Sequence, residues 1–254
     1  MMKVATHDRN WFTMLSTMPL GYHLHVGVHD IYPTLIRDVF AEIPDYFEEH
    51  MIDLIPPKKV RSIAGESHVK KEHLIELQQR QNEHRYLRAI ISGHGLLCDP
   101  SKIATFQGMY GVLSGAFGSL ARIFSDVSAT IHVSITSQAT YGPVIDYAEK
   151  SAGPELWKNP EMMSWQPLIK KIRQRFPTSH ICVWPIDNPA DQAADFLSGL
   201  SLLPFDESQR KRIKTLAAKD RSVKLKTLAI NEEFSFILEN LYEDDLEALE
   251  RMPN

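Results

Sequence analysis

Cysteine is nearly missing from this 254-residue chain, which has only Cys98 and Cys182. With no CxxC pair, neither a disulfide framework nor a cysteine-rich zinc site can be built, and a reducing cytoplasmic setting is the expectation. A basic excess is missing as well. The 28 Lys and Arg are outnumbered by 32 Asp and Glu, for a formal net charge of −4, so the overall charge does not suit a nucleic-acid backbone and no nucleic-acid partner is expected. The opening MMKVATHDRNWFTMLSTMPL has no apolar run before a small-residue cleavage site and reads as no signal peptide. Long Leu, Ile and Val runs are also lacking. The nearest approach is the uncharged stretch Ile103 to Ala121, IATFQGMYGVLSGAFGSLA, diluted by four glycines and by Thr105, Gln107, Ser114 and Ser119. It reads as a helix of a soluble core whose Gly111, Gly115 and Gly118 stripe packs against a neighbour, and no membrane span is expected.

What the chain does have is 43% hydrophobic and 24% charged residues, enough for a sizeable core. Tyr22 to Val28, YHLHVGV, predicts a strand that leads into a helix through Leu35, Ile36, Val39 and Phe40. After a polar stretch around Pro56 to Lys59, a solvated helix is expected over Val69 to Arg88. Leu87 to Ile91 then predicts a second strand before the turn Ser92-Gly93-His94-Gly95. Ala129 to Ile135, ATIHVSI, is a third strand rich in β-branched residues. A helix after Gly142-Pro143 should stop at Gly153-Pro154, another runs from Pro167 to Arg175, and HICVW from His180 to Trp184 is a fourth strand. The tail, from about residue 205 to residue 254, suits two or three helices with Leu241, Leu246 and Leu249 on an apolar side. Strands separated by helices imply a single α/β domain over residues 1–254, with three layers and a mostly parallel sheet flanked by helices. Ligands of such sheets sit beyond the carboxyl ends of the strands. The turns Gly27 to Thr34, Ser92 to Leu96 and Ser134 to Gly142 are therefore expected in one crevice.

Several constellations compete for the function. His23 and His25 share one face of the first strand and His132 lies on a strand expected beside it, while His29, Asp30 and His94 occupy turns. Three imidazoles with an open position would suit zinc-assisted hydrolysis, although no HExxH or HxH-x-D pattern is present, and side chains on one strand face usually pack or hydrogen-bond instead. No metal ligand is assigned. Ser92 and Ser114 lie outside any GxSxG elbow. Lys58, Lys59, Arg61, Lys70 and Lys71 form one basic patch and Lys170, Lys171, Arg173 and Arg175 another. Such runs are usually solvated faces, with acidic partners or sulfated glycans as the functional alternative. Trp157, Trp165 and Trp184 read as core anchors.

The run YHLHVGVH followed by a helix resembles the first strand and phosphate loop of bacterial sulfotransferases that use 3′-phosphoadenosine-5′-phosphosulfate, where His-Ile-Gly-x-His leads into Lys-Thr-Gly-Thr-Thr. His25, Val26, Gly27 and His29 match in type and spacing. AIISGHGLL, IHVSITSQ, WQPLIKKIRQRFPTSHICVWPID and LYEDDLEAL agree weakly with later segments of that family and in the same order, so the similarity covers most of residues 20 to 250. The resemblance implies a P-loop, sulfotransferase-like fold. It also implies a nucleotide site built by Gly27, Val28, His29, Asp30, Thr34 and Thr136, with His94 and His29 as the catalytic candidates. His94 stands where the family often carries a glutamate base; the plain alternative is a turn histidine in water.

The family loop is not kept. Asp30-Ile31-Tyr32-Pro33-Thr34 stands in place of Lys-Thr-Gly-Thr-Thr. Asp30 replaces the cation, Tyr32 the permissive glycine, and Pro33 removes an N–H donor. Unit charges ~4 Å apart interact by about 4 kcal/mol at an effective dielectric near 20, so Lys to Asp swings each nearby phosphate charge by about 8 kcal/mol before relaxation. The family's 3′-phosphate contacts, an Arg and a Ser, fall on Thr136 and Val144 when aligned through Gln138, and neither offers a bidentate cation. The first expectation is thus a sulfotransferase-like protein with an impaired phosphosulfate site, non-catalytic or regulatory, paired with a protein partner. The second is an active enzyme moving a sulfuryl group to a hydroxyl or amine on a small molecule or glycan, with a relocated cation. The third is a histidine-based metal hydrolase. No cofactor follows from the residues alone; 3′-phosphoadenosine-5′-phosphosulfate or its desulfated product is implied by the resemblance only.

Overall fold

The computed structural model describes residues 2–4, 21–26, 32–55, 75, 79, 87–93, 96–98, 103–105, 108–111, 113–124, 129–141, 144, 159–220 and 232–252. Its centre is a parallel sheet of five strands in the order β3-β4-β2-β7-β8, namely Ile52–Ile55, Arg88–Ser92, Tyr22–His25, Ala129–Ile135 and His180–Pro185. A three-residue strand β1, Met2–Val4, adds to the β8 edge, also parallel. The central strand β2 has β4 on one side and β7 on the other. From β2 the chain goes first to β3 and β4 on one side and then to β7 and β8 on the other, which makes the end of β2 the topological switch point where open α/β sheets bind ligands.

Helices cover both faces. From β2 the chain passes into α1 (Pro33–Glu42) and α2 (Pro44–Glu49), each with proline in its first turn, where the missing N–H has no intrahelical role. α3 (Gly115–Ile123) is capped by Ser114, whose Oγ accepts from the Phe117 N–H at 3.0 Å. Next come α4 (Gln166–Arg175), α5 (Pro189–Ser201), α6 (Glu207–Lys219) and α7 (Glu232–Arg251). Asp206 and Gln209 form a reciprocal capping box at the start of α6. Phe196 of α5 meets His25 and Trp184, and the Arg88 guanidinium donates to the Ser201 carbonyl at 2.8 Å, so α5 lies over one face. On the other face Tyr22 packs on Phe124 just after α3, and Phe117 of α3 on Phe176 just after α4. One buried apolar cluster runs from Tyr22 to Leu249.

The register separates the faces chemically. Leu24, Ile91, Ile131 and Ile181 are in one row and make an apolar face. His25 pairs with Ser92 and His132, and His132 with Cys182, so the opposite face carries His23, His25, Ser92, Thr130, His132, Ser134, Cys182 and Trp184. A parallel sheet buried on both sides is usually apolar on both. This one buries a polar face under α5.

The expected strands at Tyr22, Leu87, Ala129 and His180 form with small shifts of their ends; the first is shorter, Tyr22–His25. Two strands, Met2–Val4 and Ile52–Ile55, carry too few residues for a periodicity to show. The expected helix over Ile103 to Ala121 is corrected. Its first part is a two-stranded hairpin, β5 (Ala104–Thr105) with β6 (Gly108–Met109), and only Gly115–Ile123 is helical. Gly108, at the start of β6, has φ +90°, and a Cβ there would come within 2.6 Å of the Met162 carbonyl oxygen, so both its backbone conformation and this close approach call for glycine. The glycine stripe is not a packing seam either: a Cβ on Gly115 would meet nothing within 4 Å, and on Gly118 only Arg122 at 4.0 Å. Among the described residues no helix is long and apolar enough to cross a membrane. The helices expected over Val69 to Arg88 and from Gly142 to Ala152 fall almost wholly outside the described residues.

Candidate functional site

The switch point is framed by the ends of β4, β2 and β7. Strand β2 ends at His25; Val26 donates its N–H to the His132 carbonyl at 2.9 Å, and α1 opens at Tyr32 and Pro33. Tyr32 has φ 70° and ψ −8°, the left-handed region. A non-glycine residue there costs about 1–2 kcal/mol. Its side chain is fully buried; the ring lies 4.8 Å from that of Phe196, and the hydroxyl donates to the Pro189 carbonyl at 2.7 Å. Burial, then the negative charge of Asp195, push the Tyr32 phenol well above its ordinary pKa. Tyr32 thus ties the start of α1 to the start of α5. Asp191 and Asp195 stand on α5, ion-paired to Lys214 and Arg210 of α6.

Of the sequence-predicted site residues, Thr34 lies half-buried in the first turn of α1 and Thr136 is fully buried just after β7. The Thr136 carbonyl accepts the Trp165 indole N–H at 2.9 Å, and its hydroxyl has no hydrogen-bond partner. Val144 is also fully buried. Gly27, Val28, His29, Asp30 and His94 lie outside the described residues, as do Lys58, Lys59, Arg61 and Trp157. Lys171, from the second basic patch, donates to the carbonyls of Tyr110 and Gly111 at 3.1 and 2.9 Å and so pins the turn after β6.

The structure brings His23, His25 and His132 together. The His25 ring bridges two serines, with Nδ1 3.0 Å from Ser92 Oγ and Nε2 3.2 Å from Ser134 Oγ. His132 takes the Trp184 indole N–H on Nδ1 at 3.1 Å and faces His23 Nδ1 with its Nε2 at 3.0 Å. An indole nitrogen only donates. His132 Nδ1 therefore bears no proton, its Nε2–H donates to His23 Nδ1, and both imidazoles are neutral. Their burial pushes the same way, holding His23 at about 3 with help from the Arg88 charge and His132 well below the usual histidine range. Among the described residues no group of three or more His, Cys, Asp and Glu is placed to hold a metal ion.

A second polar network lies just past the carboxyl end of β7. Asp245 of α7 is fully buried and accepts from Gln138 Nε2, Ser164 Oγ, the Trp165 N–H and Gln166 Nε2 at 2.8, 2.6, 2.7 and 3.2 Å. Desolvation still raises its pKa, against the lowering by these bonds. The Gln138 amide also donates to the Met163 carbonyl at 3.0 Å. Gln138 thus joins the turn after β7 to α7.

Sequence reading did not find Tyr32 as an anchor, Trp184 as the partner of His132, or Asp245 as a hub. The alternation in YHLH and ATIHVSI was the available signal for the polar face; no local pattern marks Asp245, whose partners lie 79 or more residues away. Compared with protein-family models, curated proteins and solved structures, the chain matches none.

Proposed function

We propose that this chain is a sulfotransferase-like protein whose phosphosulfate site is closed, and that it acts as a non-catalytic binding or regulatory subunit. The observation that carries this reading is Tyr32. It stands where the resembled family has the glycine of its phosphate loop, and its backbone takes the left-handed conformation that glycine adopts without strain. The side chain, however, is turned inward onto Phe196 and held by the Pro189 carbonyl. A phosphate loop works by presenting successive backbone N–H groups and a cation to an anion at a helix N-terminus. Here Pro33 has no N–H to present, and Asp195 is the charge that acts on Tyr32.

The position of the turn supports the same reading, since it follows the central strand at the switch point of a parallel sheet. So does the second set of family contacts, because Thr136 and Val144 are both fully buried side chains without charge. Without a cation on the leaving phosphate the barrier to sulfuryl transfer rises by about 3–4 kcal/mol, the effect of losing comparable electrostatic stabilisers. Titration calorimetry with 3′-phosphoadenosine-5′-phosphate tests the reading. No heat of binding is expected at sub-millimolar nucleotide. Saturable binding with one site per chain would overturn it in favour of an active transferase with a relocated cation.

A further inference from the structure

Hydrogen-bond direction across the polar face of the sheet leaves one proton unaccounted for. Trp184 donates to His132, and His132 donates to His23 Nδ1, so the single proton of the neutral His23 ring must sit on Nε2. That atom is buried and has no hydrogen-bond partner, and the residue is fully buried. Arg88 has the same deficiency. Its Nη1 donates to the Ser201 carbonyl at the end of α5, yet its Nε–H is buried without a partner.

The two residues that carry these donors are neighbours on the sheet. His23 pairs in register with Ile90 of β4, and Arg88 lies two residues before Ile90, on the same face and diagonally beside His23. Arg88 is also the charge that acts on the His23 ring. No carboxylate among the described residues forms an ion pair with Arg88, and burial disfavours its charge. A buried N–H left unpaired costs about 1–3 kcal/mol. Arg88 is partly exposed, but its Nε–H edge is closed off from water, and an anion placed there would meet both the unpaired donor and the positive charge. Both groups are donors only, so neither can satisfy the other.

We propose that His23 Nε2–H and Arg88 Nε–H together form a binding site for a small monovalent anion of the halide class, held in the layer between β2, β4 and the end of α5. The ligand must be an acceptor small enough to reach two buried donor atoms, and the positive charge of the half-buried Arg88 favours an anion over a neutral acceptor. A water would satisfy the two donors but would bring two protons needing acceptors of their own and would leave the charge unmatched.

The test uses the intact chain at constant ionic strength. Replacing sodium gluconate with sodium chloride or bromide is expected to raise Tm saturably, by about 3–6 °C at ten times the half-saturating concentration. The Arg88→Gln chain should lose that increment. Equal melting in gluconate and halide, or an increment that survives in Arg88→Gln, would overturn the site. Because the substitution could also prevent folding, diffraction from bromide-grown crystals of the unaltered protein gives an independent answer. An anomalous peak between His23 Nε2 and Arg88 Nε is expected; an ordered water there, with no anomalous signal, would overturn the proposal.

Discussion

Acid should destabilise this fold through His23 in a calculable way. The His23 ring is fully buried and neutral, with its pKa held down at about 3 by burial and by Arg88. The unfolded chain takes up that proton near the ordinary value of ~6.5. Because the folded pKa is the lower one, the contribution of His23 is intact above pH ~6.5 and is lost as pH falls from there towards about 3, where the folded ring also titrates. Between neutral pH and pH 5 the loss is about 2 kcal/mol, and the full shift corresponds to about 5 kcal/mol. His132, also depressed by burial and by its histidine neighbours, adds in the same direction. Asp245 opposes both: its raised pKa means the folded state gains a proton before the unfolded chain does. Urea unfolding of the unaltered protein and of His23→Gln in halide-free buffer at pH 7.5 and pH 5 reads the His23 share together with its coupling to His132, since the Asp245 contribution is common to both. The variant keeps an acceptor for the His132 N–H but cannot titrate. It should start less stable at pH 7.5 and then lose about 2 kcal/mol less than the parent on acidification. An equal loss in the two proteins would refute the buried, neutral chain of imidazoles.

Other substitutions probe the remaining features. Tyr32→Phe removes the donor to the Pro189 carbonyl and should cost about 1 kcal/mol by chemical denaturation; Tyr32→Gly relieves the left-handed strain but empties a fully buried position, for a net loss of about 2–3 kcal/mol. Asp245→Ala strands four donors and should cost about 3–5 kcal/mol, against a smaller loss in Asp245→Asn, which keeps one oxygen acceptor. Gly108→Ala must both strain φ and displace the Met162 carbonyl, so a melting temperature lowered by several degrees is expected; an unchanged value would contradict this close approach. Asp30→Lys should raise any residual affinity for the phosphorylated adenosine if Asp30 occupies the family lysine position, and no change in calorimetry would count against that alignment.

The layered α/β architecture was readable because its strands are concentrated in β-branched runs such as ATIHVSI and its helices in 3.6-residue patterns. The apolar and polar faces of the sheet were readable in part: alternation placed His23 and His25 together, and the adjacency of β2 and β7 brought His132 to them. Their neutrality was not readable, because it is set by Trp184, a residue 52 positions from His132. Ile103 to Ala121 misled because absence of charge is compatible with either a helix or a tight hairpin. What decides between them is the approach of the Met162 backbone to Gly108, a contact distant in sequence. Tyr32 was legible as a departure from a glycine-bearing loop. That it fills the interior under Phe196 depended on where α5 returns to the sheet.

The proposed loss of phosphate binding can be interrogated at the start of α1, where an anion would meet backbone N–H groups. Backbone amide resonances of Tyr32 and Thr34, followed by heteronuclear NMR as 3′-phosphoadenosine-5′-phosphate is added to 1 mM, should not move. Progressive, saturating shifts at both amides would mean that the turn still receives phosphate and would contradict the account.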